Sequence, residues 1–434
     1  MTPAIQPNST RAPLHFLGLA CAIGVSTIYF NQPLLVDMGR TYHEPSGHVM
    51  FVSGATQVGY ALGLLLFVPL GDLLERRSLM LRMYASVVIS LLLVSMAPSL
   101  AWLIAGSVLL GMVAAVTHIV LPIAPDMVPN QERGRAIGTV MMGLLLGILL
   151  ARTFAGWVSR AGTLLLQRHA GAGFLWLTDG WRFVFAVAAL GNLAFLLLLA
   201  RVMPKLPPRQ SMPYAEAMRS LWTLFRTQPL LRESSFIGAL VFASFSCFWT
   251  TLAFLLSSHY GLGAGVAGSF GLVGAAGAMI APVAGKLADR RGTRYVIAAG
   301  ISLLAFSYLL LWAGEWVHMH MAAHIAILVV GVIILDMGAQ LTQVGNQTRI
   351  FGLVPSARSR LNTVYMTVYF SGAAAGSALS TIAWVRWKWD GVCAIALILI
   401  AFAFLTHAFG VRSESAFRAH APADLADSER VLEV

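Results

Sequence analysis

Charged residues are scarce in this chain. Asp, Glu, Lys and Arg make up only 11% of the 434 residues, whereas 58% are hydrophobic. A water-soluble protein of this length carries far more charge, so the composition excludes a soluble globular protein. Cysteine is also rare, and Cys21, Cys247 and Cys393 show neither C-x-x-C nor metal-ligand spacing. We therefore expect three buried thiols and no metal site.

Motifs of catalysis are absent as well. The sequence contains no G-x-S-x-G, no H-E-x-x-H and no phosphate loop of the form G-x-x-x-x-G-K-[ST]. Each of these patterns supplies a nucleophile, a metal site or a phosphate cradle. We therefore expect no catalytic residues, no cofactor and no nucleotide site.

Long apolar runs, in contrast, are abundant. Stretches of about 20 mostly apolar residues recur from one end of the chain to the other, and each is long enough to cross a bilayer as a helix. The sequence therefore predicts an all-α, multi-pass membrane protein with twelve transmembrane helices. The twelve predicted spans, numbered 1 to 12 in chain order, cover residues 14–36, 49–71, 79–97, 101–121, 136–158, 181–203, 233–257, 267–288, 295–314, 322–345, 361–385 and 390–410.

Positive charge is distributed unevenly between the loops. With the N-terminus placed in the cytoplasm, most of the 29 Lys and Arg residues fall on the cytoplasmic side. Because cytoplasmic loops of membrane proteins carry this bias, both termini are predicted to lie in the cytoplasm, with the protein in the plasma (inner) membrane. The net charge of +11 is then explained by the excess of Lys and Arg in cytoplasmic loops, and no nucleic-acid partner is expected.

The middle of the chain differs from the rest. A Pro-rich and basic stretch at 204–232 separates six spans from six, and residues 212–226 within it are predicted to form an amphipathic helix. The stretch 160–178 has the character of an insertion, without an assigned function. The predicted organisation is a tail at 1–13, a six-helix bundle at 14–203, a linker at 204–232, a second six-helix bundle at 233–410 and a tail at 411–434.

The two halves contain matching turns. The sequence "GDLLERRS" (71–78) follows span 2, and "GKLADRRG" (285–292) follows span 8. In the same way "VPNQERGRAIGTVMMG" (128–143) precedes span 5 and "VPSARSRLNTVYMT" (354–367) precedes span 11. The halves are therefore predicted to be two pseudo-symmetric copies of one unit, an arrangement that builds transporters with a site between the halves.

At these turns the sequence resembles the major facilitator superfamily. The signature of that family between helices 2 and 3 reads G-x-L-a-D-r-x-G-r-r, and in the first copy here Glu75 replaces the Asp and Ser78 replaces the Gly. The resemblance implies two bundles that move about a central cavity lined by helices 1, 4, 7 and 10. The second copy matches the signature at Gly285, Leu287, Asp289, Arg290, Gly292 and Arg294.

The charged turns are expected to act as a conformational latch. An acid and arginines at the end of a helix can tie helices 2 and 11, or 8 and 5, together in one state and release them in another. The alternative is that these arginines only follow the charge bias of cytoplasmic loops. The predicted latch residues are Gly71, Glu75, Arg76, Arg77, Gly285, Asp289, Arg290 and Arg291. Glycines are frequent in spans 2, 5, 8 and 11, which form the seam between the halves in this family, and we expect these glycines to let helices approach closely at that seam. Ordinary close packing within one half is the alternative.

Two ionisable side chains inside predicted spans are the leading candidates for a substrate and proton site. Arg152 lies in span 5, and a charge at this depth faces protein or water unless it snorkels to the interface. Asp336, Gln340 and Gln343 follow helical spacing on one face of span 10. That face is expected to line the cavity, and a structural hydrogen-bond network is the alternative. Further candidates are Asn31 and Gln32 in span 1, and His118 in span 4.

The turns resemble those of the drug–proton antiporter branch, which implies proton-coupled efflux of a small organic solute by alternating access. Ala151 and Arg152 stand where that branch has a Gly-Pro pair in helix 5. The alternatives are a proton symporter or uniporter that imports a sugar, an organic acid or a nucleoside, and, remotely, an integral membrane enzyme. The expected partners are a small-molecule substrate, a proton gradient and the lipid bilayer, and the protein is expected to be a monomer.

Overall fold

The computed structural model describes residues 11–128, 132–168, 176–208, 212–317, 320–354 and 357–420. Within these ranges the regular elements are helices, and no strand occurs. Short 3-10 helices lie at Gln32–Leu34 and Leu121–Met127. The α-helices are α1 (Arg11–Ser26), α2 (Leu35–Tyr42), α3 (Ser46–Val49), α4 (Phe51–Phe67), α5 (Leu70–Leu73), α6 (Arg76–Ser95), α7 (Leu100–Ala114), α8 (Val116–Val120), α9 (Arg133–Arg168), α10 (Gly180–Val202), α11 (Tyr214–Thr227), α12 (Pro229–Tyr260), α13 (Ala264–Ala278), α14 (Ala281–Arg291), α15 (Thr293–Trp316), α16 (Met321–Phe351) and α17 (Arg358–His420).

These helices supply the twelve predicted spans. In the described part of the chain, 10 helical segments are long and apolar enough to cross a membrane, and the last of them, Arg358–Gly410, has 53 residues. A straight helix of that length would extend about 80 Å, far more than a bilayer needs. Instead α17 breaks at Lys388, whose φ is 53°, and its two legs form spans 11 and 12. With α1 as the membrane part of span 1, the prediction of twelve transmembrane helices is confirmed.

Prolines interrupt spans 1 and 8. In span 1, α1 ends at Ser26, and the chain passes through turns and the 3-10 helix that contains Pro33 before α2 begins. In span 8, Pro282 lies in the first turn of α14, just after the break that follows α13. A break exposes backbone polar groups, which the membrane tolerates only where protein buries them. Residues 27–34 are all buried, so the break in span 1 lies inside the protein.

One hydrogen bond recurs in both halves. The hydroxyl of Tyr84 in span 3 donates to the carbonyl of Ala20 in span 1 over 2.6 Å. The hydroxyl of Tyr308 in span 9 donates to the carbonyl of Ser244 in span 7 over 2.5 Å. In each pair the donor and the acceptor are 64 residues apart along the chain. The same helices are therefore joined by the same contact in each bundle, as expected for two copies of one unit.

Glycines in spans 5 and 11 also pack alike in the two halves. Each lies so close to its neighbouring helix that a Cβ would collide with a backbone carbonyl oxygen. The close pairs are Gly143 with Gly18, Gly147 with Ala22, Gly372 with Ala239 and Gly376 with Ala243. All four contacts join spans 5 and 1, or 11 and 7, within one bundle. The expectation that the glycines of spans 5 and 11 lie on the seam is therefore wrong for these four, which serve close packing inside each half.

Spans 5 and 8 form part of the seam between the bundles at the end of the molecule away from the matching turns. We call this end the far end, and the other the turn end. Gly156 packs against the carbonyl of Ala264, and the hydroxyl of Thr153 donates to the carbonyl of Gly268 over 3.0 Å. A hydroxyl chain adds to the seam, because Thr250 of span 7 lies 3.4 Å from Ser53 of span 2 and 3.0 Å from Ser377 of span 11.

Two helices extend beyond the predicted boundaries. The α9 helix has 36 residues and continues to Arg168, into the predicted insertion at 160–178. At 1.5 Å per residue it is about 54 Å long, so one end must project from a bilayer of about 30 Å. Residues 169–175 of that insertion lie outside the described part of the chain. The α17 helix continues to His420, so the tail predicted to start at residue 411 begins as helix.

Candidate functional site

Arg152 lies in the interior of the protein, between the two bundles. Only 3% of its surface is exposed, and its Nε donates to Oε1 of Gln32 in span 1 over 2.6 Å. Its guanidinium lies between two aromatic rings, 4.6 Å from the centroid of Tyr29 and 3.9 Å from that of Trp249. Tyr29 belongs to the first bundle and Trp249 to the second, so this cation joins the two halves through its π contacts. Snorkelling to the interface is incompatible with this position.

Asp336 is the nearby acid. It is 6% exposed, and its Oδ2 makes no hydrogen bond to any described residue. A Cβ placed on Gly274 would lie 3.0 Å from Oδ2 of Asp336 and 3.1 Å from the ring of Trp249. A Cβ on Gly271, one turn earlier in span 8, would lie 3.1 Å from Cβ of Arg152. Asp336 and Arg152 therefore pack on the same helix about one turn apart and interact electrostatically. They form no ion pair within 4.0 Å in the described structure.

A narrow cavity lies directly below these residues, toward the turn end. Span 5 lines it with Leu144, Leu145, Ile148 and Leu149. Arg152 lies one helical turn beyond these residues, outside the lining, and we call this level above the cavity its roof. The wall is apolar, with aliphatic side chains and aromatic rings in similar numbers, and it carries a few polar groups, as in many small-molecule sites. The aromatic and polar lining residues are Tyr29, Tyr60, His118, Phe242, Phe245, Asp336, Gln340, Gln343, Tyr369 and Phe370.

The polar stripe of span 10 reaches the cavity over part of its length. Asp336, Gln340 and Gln343 line the wall, and Oε1 of Gln343 accepts a hydrogen bond from the hydroxyl of Tyr369 over 3.5 Å. Gln347, the next residue on this face, instead donates to Oδ1 of Asn362 in span 11 over 3.4 Å. The part of the stripe nearer the turn end therefore contacts span 11 and does not line the cavity.

Of the three remaining candidates, one lines the cavity and two do not. His118 lines the cavity with its ring 5.9 Å from that of Tyr60, and its Nδ1 is buried without a hydrogen-bond partner in the described structure. Gln32 lies behind the wall as the acceptor for Arg152. Asn31 does not reach the cavity, because its Nδ2 donates to Oγ1 of Thr56 in span 2 over 2.7 Å.

The first charged turn is fixed to the end of span 6. The carboxylate of Glu75 accepts hydrogen bonds from the backbone N–H groups of Arg77, Ser78 and Leu206 over 2.8–3.0 Å. Arg77 donates to the carbonyl of Ala200 over 2.5 Å, and the backbone N–H of Arg76 donates to the carbonyl of Leu206. All these partners belong to the first bundle or to the start of the linker. A direct contact across the seam comes from the neighbouring Asp72, whose Oδ2 accepts from the hydroxyl of Ser359 over 3.4 Å.

The second charged turn is exposed. Asp289, Arg290 and Arg291 are all on the surface, and Arg291 donates to the hydroxyl of Tyr295 one turn along its own chain over 3.0 Å. Gly71 packs against the side chain of Ile119, whereas a Cβ on Gly285 would meet nothing within 4 Å. The two copies of the motif thus share a sequence pattern but not a set of contacts.

A buried charge cluster at the turn end of the second bundle was missed in the sequence. Nη1 and Nη2 of Arg349 donate to the two carboxylate oxygens of Glu233 over 2.9 and 3.0 Å, and Arg294 of the signature adds a contact of 3.3 Å. The side chain of Arg349 is only 6% exposed. Glu233 and Arg349 are 116 residues apart, and no local pattern indicates that they meet. The bidentate pair joins the helices of spans 7 and 10, and Arg294 adds the helix of span 9, all within one bundle.

Comparisons with known proteins agree with this architecture. The family model described as Major Facilitator Superfamily matches residues 14–314 and 234–429. The "Uncharacterized transporter YgaY" of Escherichia coli O157:H7 is 37% identical over 391 residues, which cover 89% of this chain and 93% of that one. The "Probable transporter SCO4007" of Streptomyces coelicolor is 32% identical over 394 residues, with 89% and 85% covered.

Solved structures share the fold at low sequence identity. A bacterial homolog of the human lysosomal transporter Spinster, in an inward-facing and unoccupied conformation, has a TM-score of 0.73 at 16% identity and covers 96% of this chain and 100% of its own. The human organic anion transporter MFSD10 has a TM-score of 0.64 at 17% identity, with 93% and 100% covered. The match of the family model over the spans, the two transporter relatives and the two matching helical bundles lead to one conclusion: the chain belongs to the Major Facilitator Superfamily and is a multi-pass membrane transporter.

Proposed function

We propose that this transporter couples the export of a small organic solute to the entry of protons. The observation that carries the proposal is the carboxylate of Asp336, which is buried at the roof of a cavity between the bundles, within electrostatic reach of Arg152. An acid inside a membrane protein is costly to keep, and such acids commonly carry the coupled ion or proton. Asp336 is therefore our candidate for the proton-binding group.

Arg152 is the countercharge in this proposal. When Asp336 is ionised, its attraction for Arg152 adds to the π contacts that hold the bundles together at the roof. When Asp336 is protonated, that attraction is lost and the roof is easier to separate. The protonated state would thus favour the conformation that is open at the far end. Asp336 would take up a proton from that side and release it to the other side when the roof closes and the attraction for Arg152 returns, so the proton would move in the direction opposite to the solute.

The direction of transport rests on orientation. The basic turns and the linker lie at the turn end, and the positive-inside rule places that end, with both termini, in the cytoplasm of a bacterial inner membrane. The seam at the far end is closed by spans 5 and 8 and by the hydroxyl chain of Thr250. The cavity would then take up its solute from the cytoplasm and release it outside after the roof opens. The linker at 204–232 would join the units 14–203 and 233–410, each moving as a body.

The solute class follows from the cavity wall. Six aromatic rings, two glutamine amides, one histidine and one carboxylate line the cavity together with aliphatic side chains of span 5 and its neighbours. Such a wall suits a small organic molecule with an apolar, preferably aromatic body and one or two hydrogen-bonding groups. In this proposal Glu75 would tie the first turn to Leu206 of the linker, and Arg77 would tie it to the carbonyl of Ala200 in span 6. Asp72 would add the contact across the seam.

A proton symporter or uniporter is the second candidate, because the same buried acid would serve import as well. The two are distinguished in proteoliposomes that hold a panel of solutes with an imposed pH gradient. An exporter accumulates solute on the side of higher proton concentration, whereas a symporter accumulates solute on the opposite side and a uniporter does not respond to the gradient.

The matched variants Asp336→Asn and Asp390→Asn test the coupling site. Asp390 accepts hydrogen bonds from Trp312 and Trp316 at the far end, away from the cavity. We expect Asp336→Asn to abolish pH-driven accumulation while solute exchange at equal pH persists, and Asp390→Asn to retain the driven transport. Undiminished pH-driven accumulation by Asp336→Asn would remove Asp336 as the coupling residue.

A further inference from the structure

The linker helix α11 has two different faces. Ala217 and Leu221 are buried, and the hydroxyl of Tyr214 donates to the carbonyl of Leu66 in span 2 over 2.9 Å. Toward the bundles this helix borders a small cavity that both halves line. The residues around that cavity are Pro69, Asp72 and Leu73 from the first bundle, Ser359, Arg360 and Thr363 from the second, and Met212, Ala217 and Leu221 from the linker. The buried face therefore spans the seam at the turn end.

The opposite face carries a stripe that no described residue covers. Ala215, Arg219, Trp222 and Arg226 are all exposed and follow the spacing i, i+4, i+7 and i+11, which places them on one side of the helix. Trp222 is 60% exposed. The stripe holds two arginines, and one acid, Glu216, is exposed at its edge. We call these four residues the basic stripe.

An aromatic chain fixes the basic stripe at the level of the membrane surface. The ring of Trp222 stacks on Phe225 at 6.1 Å, and Phe225 lies 6.3 Å from Phe236. Phe236 is in the first turns of span 7 and 51% exposed, so its ring faces the acyl chains near the end of a membrane-spanning helix. Trp222 therefore lies beside the headgroup region, where tryptophan is enriched in membrane proteins.

We propose that the basic stripe binds anionic phospholipid headgroups at the turn end, with Trp222 inserted at the interface. Amphipathic helices with arginines beside an exposed tryptophan bind anionic interfaces in this way. Each arginine near such a surface contributes a fewfold gain in binding. Because the other face of α11 touches both bundles, the bound lipid holds this helix across the seam of spans 2 and 11. Lipid composition then controls how readily the turn end opens.

A spin label at Ala215→Cys measures this contact without altering Arg219, Trp222 or Arg226. The three native cysteines are buried, so the introduced thiol is the accessible one. The full-length protein is reconstituted in vesicles of zwitterionic lipid alone or with added anionic phosphatidylglycerol, and the depth of the label is read from its collisions with oxygen and with a water-soluble nickel complex. We expect the label to move deeper when anionic lipid is present and to return toward the water at high salt, because salt screens the attraction.

Charge variants decide the outcome. Arg219→Gln with Arg226→Gln, and the reversal to Glu, should reduce the docked population on the order of fivefold per arginine removed. Lys205→Glu, an exposed charge of the same linker outside the stripe, is the matched control and should leave the label position unchanged. Trp222→Ala should keep the lipid dependence but reduce the depth.

Three results would overturn the proposal. The first is an equal label depth in both vesicle types, and the second is an unchanged depth in the charge variants. The third is the same shift produced by inorganic phosphate in zwitterionic vesicles, which would assign the stripe to a free anion. None of these measurements requires transport, so they remain informative if the proposed proton coupling fails.

Discussion

The guanidinium of Arg152 lies 3.9 Å from the ring centroid of Trp249, and the two residues belong to opposite bundles. Both are almost fully buried, so water does not weaken the contact. A desolvated cation–π pair contributes up to about 2 kcal/mol. The roof of the cavity is therefore fastened by an interaction that must break each time the bundles separate at the far end.

Replacing Trp249 with alanine should loosen this roof. Loss of about 1 kcal/mol would increase the open population roughly fivefold. A reporter cysteine at Ser53, which is 1% exposed beside the seam, should then react faster with a membrane-impermeant thiol reagent added at the far end. The reaction rate in Trp249→Phe should lie between those of the unchanged protein and Trp249→Ala, because phenylalanine keeps a weaker π face. Trp316→Ala, which removes an exposed ring at the same end, is the control, and an equal acceleration there would contradict a specific role for Trp249.

Arg152 and Asp336 should show energetic coupling in a double-mutant cycle. Arg152→Ala leaves a buried carboxylate without its countercharge, and we expect a loss of about 3 kcal/mol in the free energy of unfolding in detergent. Asp336→Asn in the Arg152→Ala background removes that uncompensated charge and should recover about 1 kcal/mol or more. Additive effects of the two substitutions would show that the residues do not sense each other. Arg152→Lys should not rescue transport, because an ammonium lacks the planar group that fits between two rings.

Glu75 should make the protein sensitive to acid at the first charged turn. Burial opposes its ionisation, but the backbone N–H groups of Leu206, Ser78 and Arg77 hold the pKa of this carboxyl below its ordinary value of 4.5. A pKa lowered by folding adds stability that is complete above the unfolded pKa and is lost as the pH falls through the folded pKa. Glu75→Gln should therefore cost about 1 kcal/mol at neutral pH and less in acid, measured by thermal unfolding at several pH values. A stability loss that is independent of pH would contradict this role.

Some of the site could be predicted from the sequence, and some could not. The polar stripe of span 10 follows helical spacing, so Asp336, Gln340 and Gln343 could be assigned to one face without knowledge of their neighbours. The position of Arg152 depends on three other helices, and no spacing indicates that Tyr29 and Trp249 enclose it. The fold itself was accessible, because length, apolarity and repeats are properties of the sequence alone.

The charged turns show a further limit. Their residue types suggested side-chain pairs across the seam, whereas Glu75 accepts from a backbone N–H of the linker and Arg77 donates to a backbone carbonyl of span 6. Every residue has a backbone carbonyl, and every residue except proline has a backbone N–H. The residue type therefore does not show which backbone group a side chain will bind. The pair of Glu233 and Arg349 escaped notice for a different reason, since its members lie at the ends of two distant spans.

The recurring tyrosine bonds give a direct test of pseudo-symmetry in the fold. Tyr84→Phe and Tyr308→Phe each remove one buried hydroxyl that donates to a carbonyl of span 1 or span 7. Each change should cost about 1 kcal/mol in the free energy of unfolding, because the ring stays in place and one hydrogen bond is lost. The double variant should show additive effects, since the bonds lie in different bundles and share no partner. A large loss for one tyrosine and none for the other, measured by unfolding in the same detergent, would show that the two bundles do not use this contact equivalently.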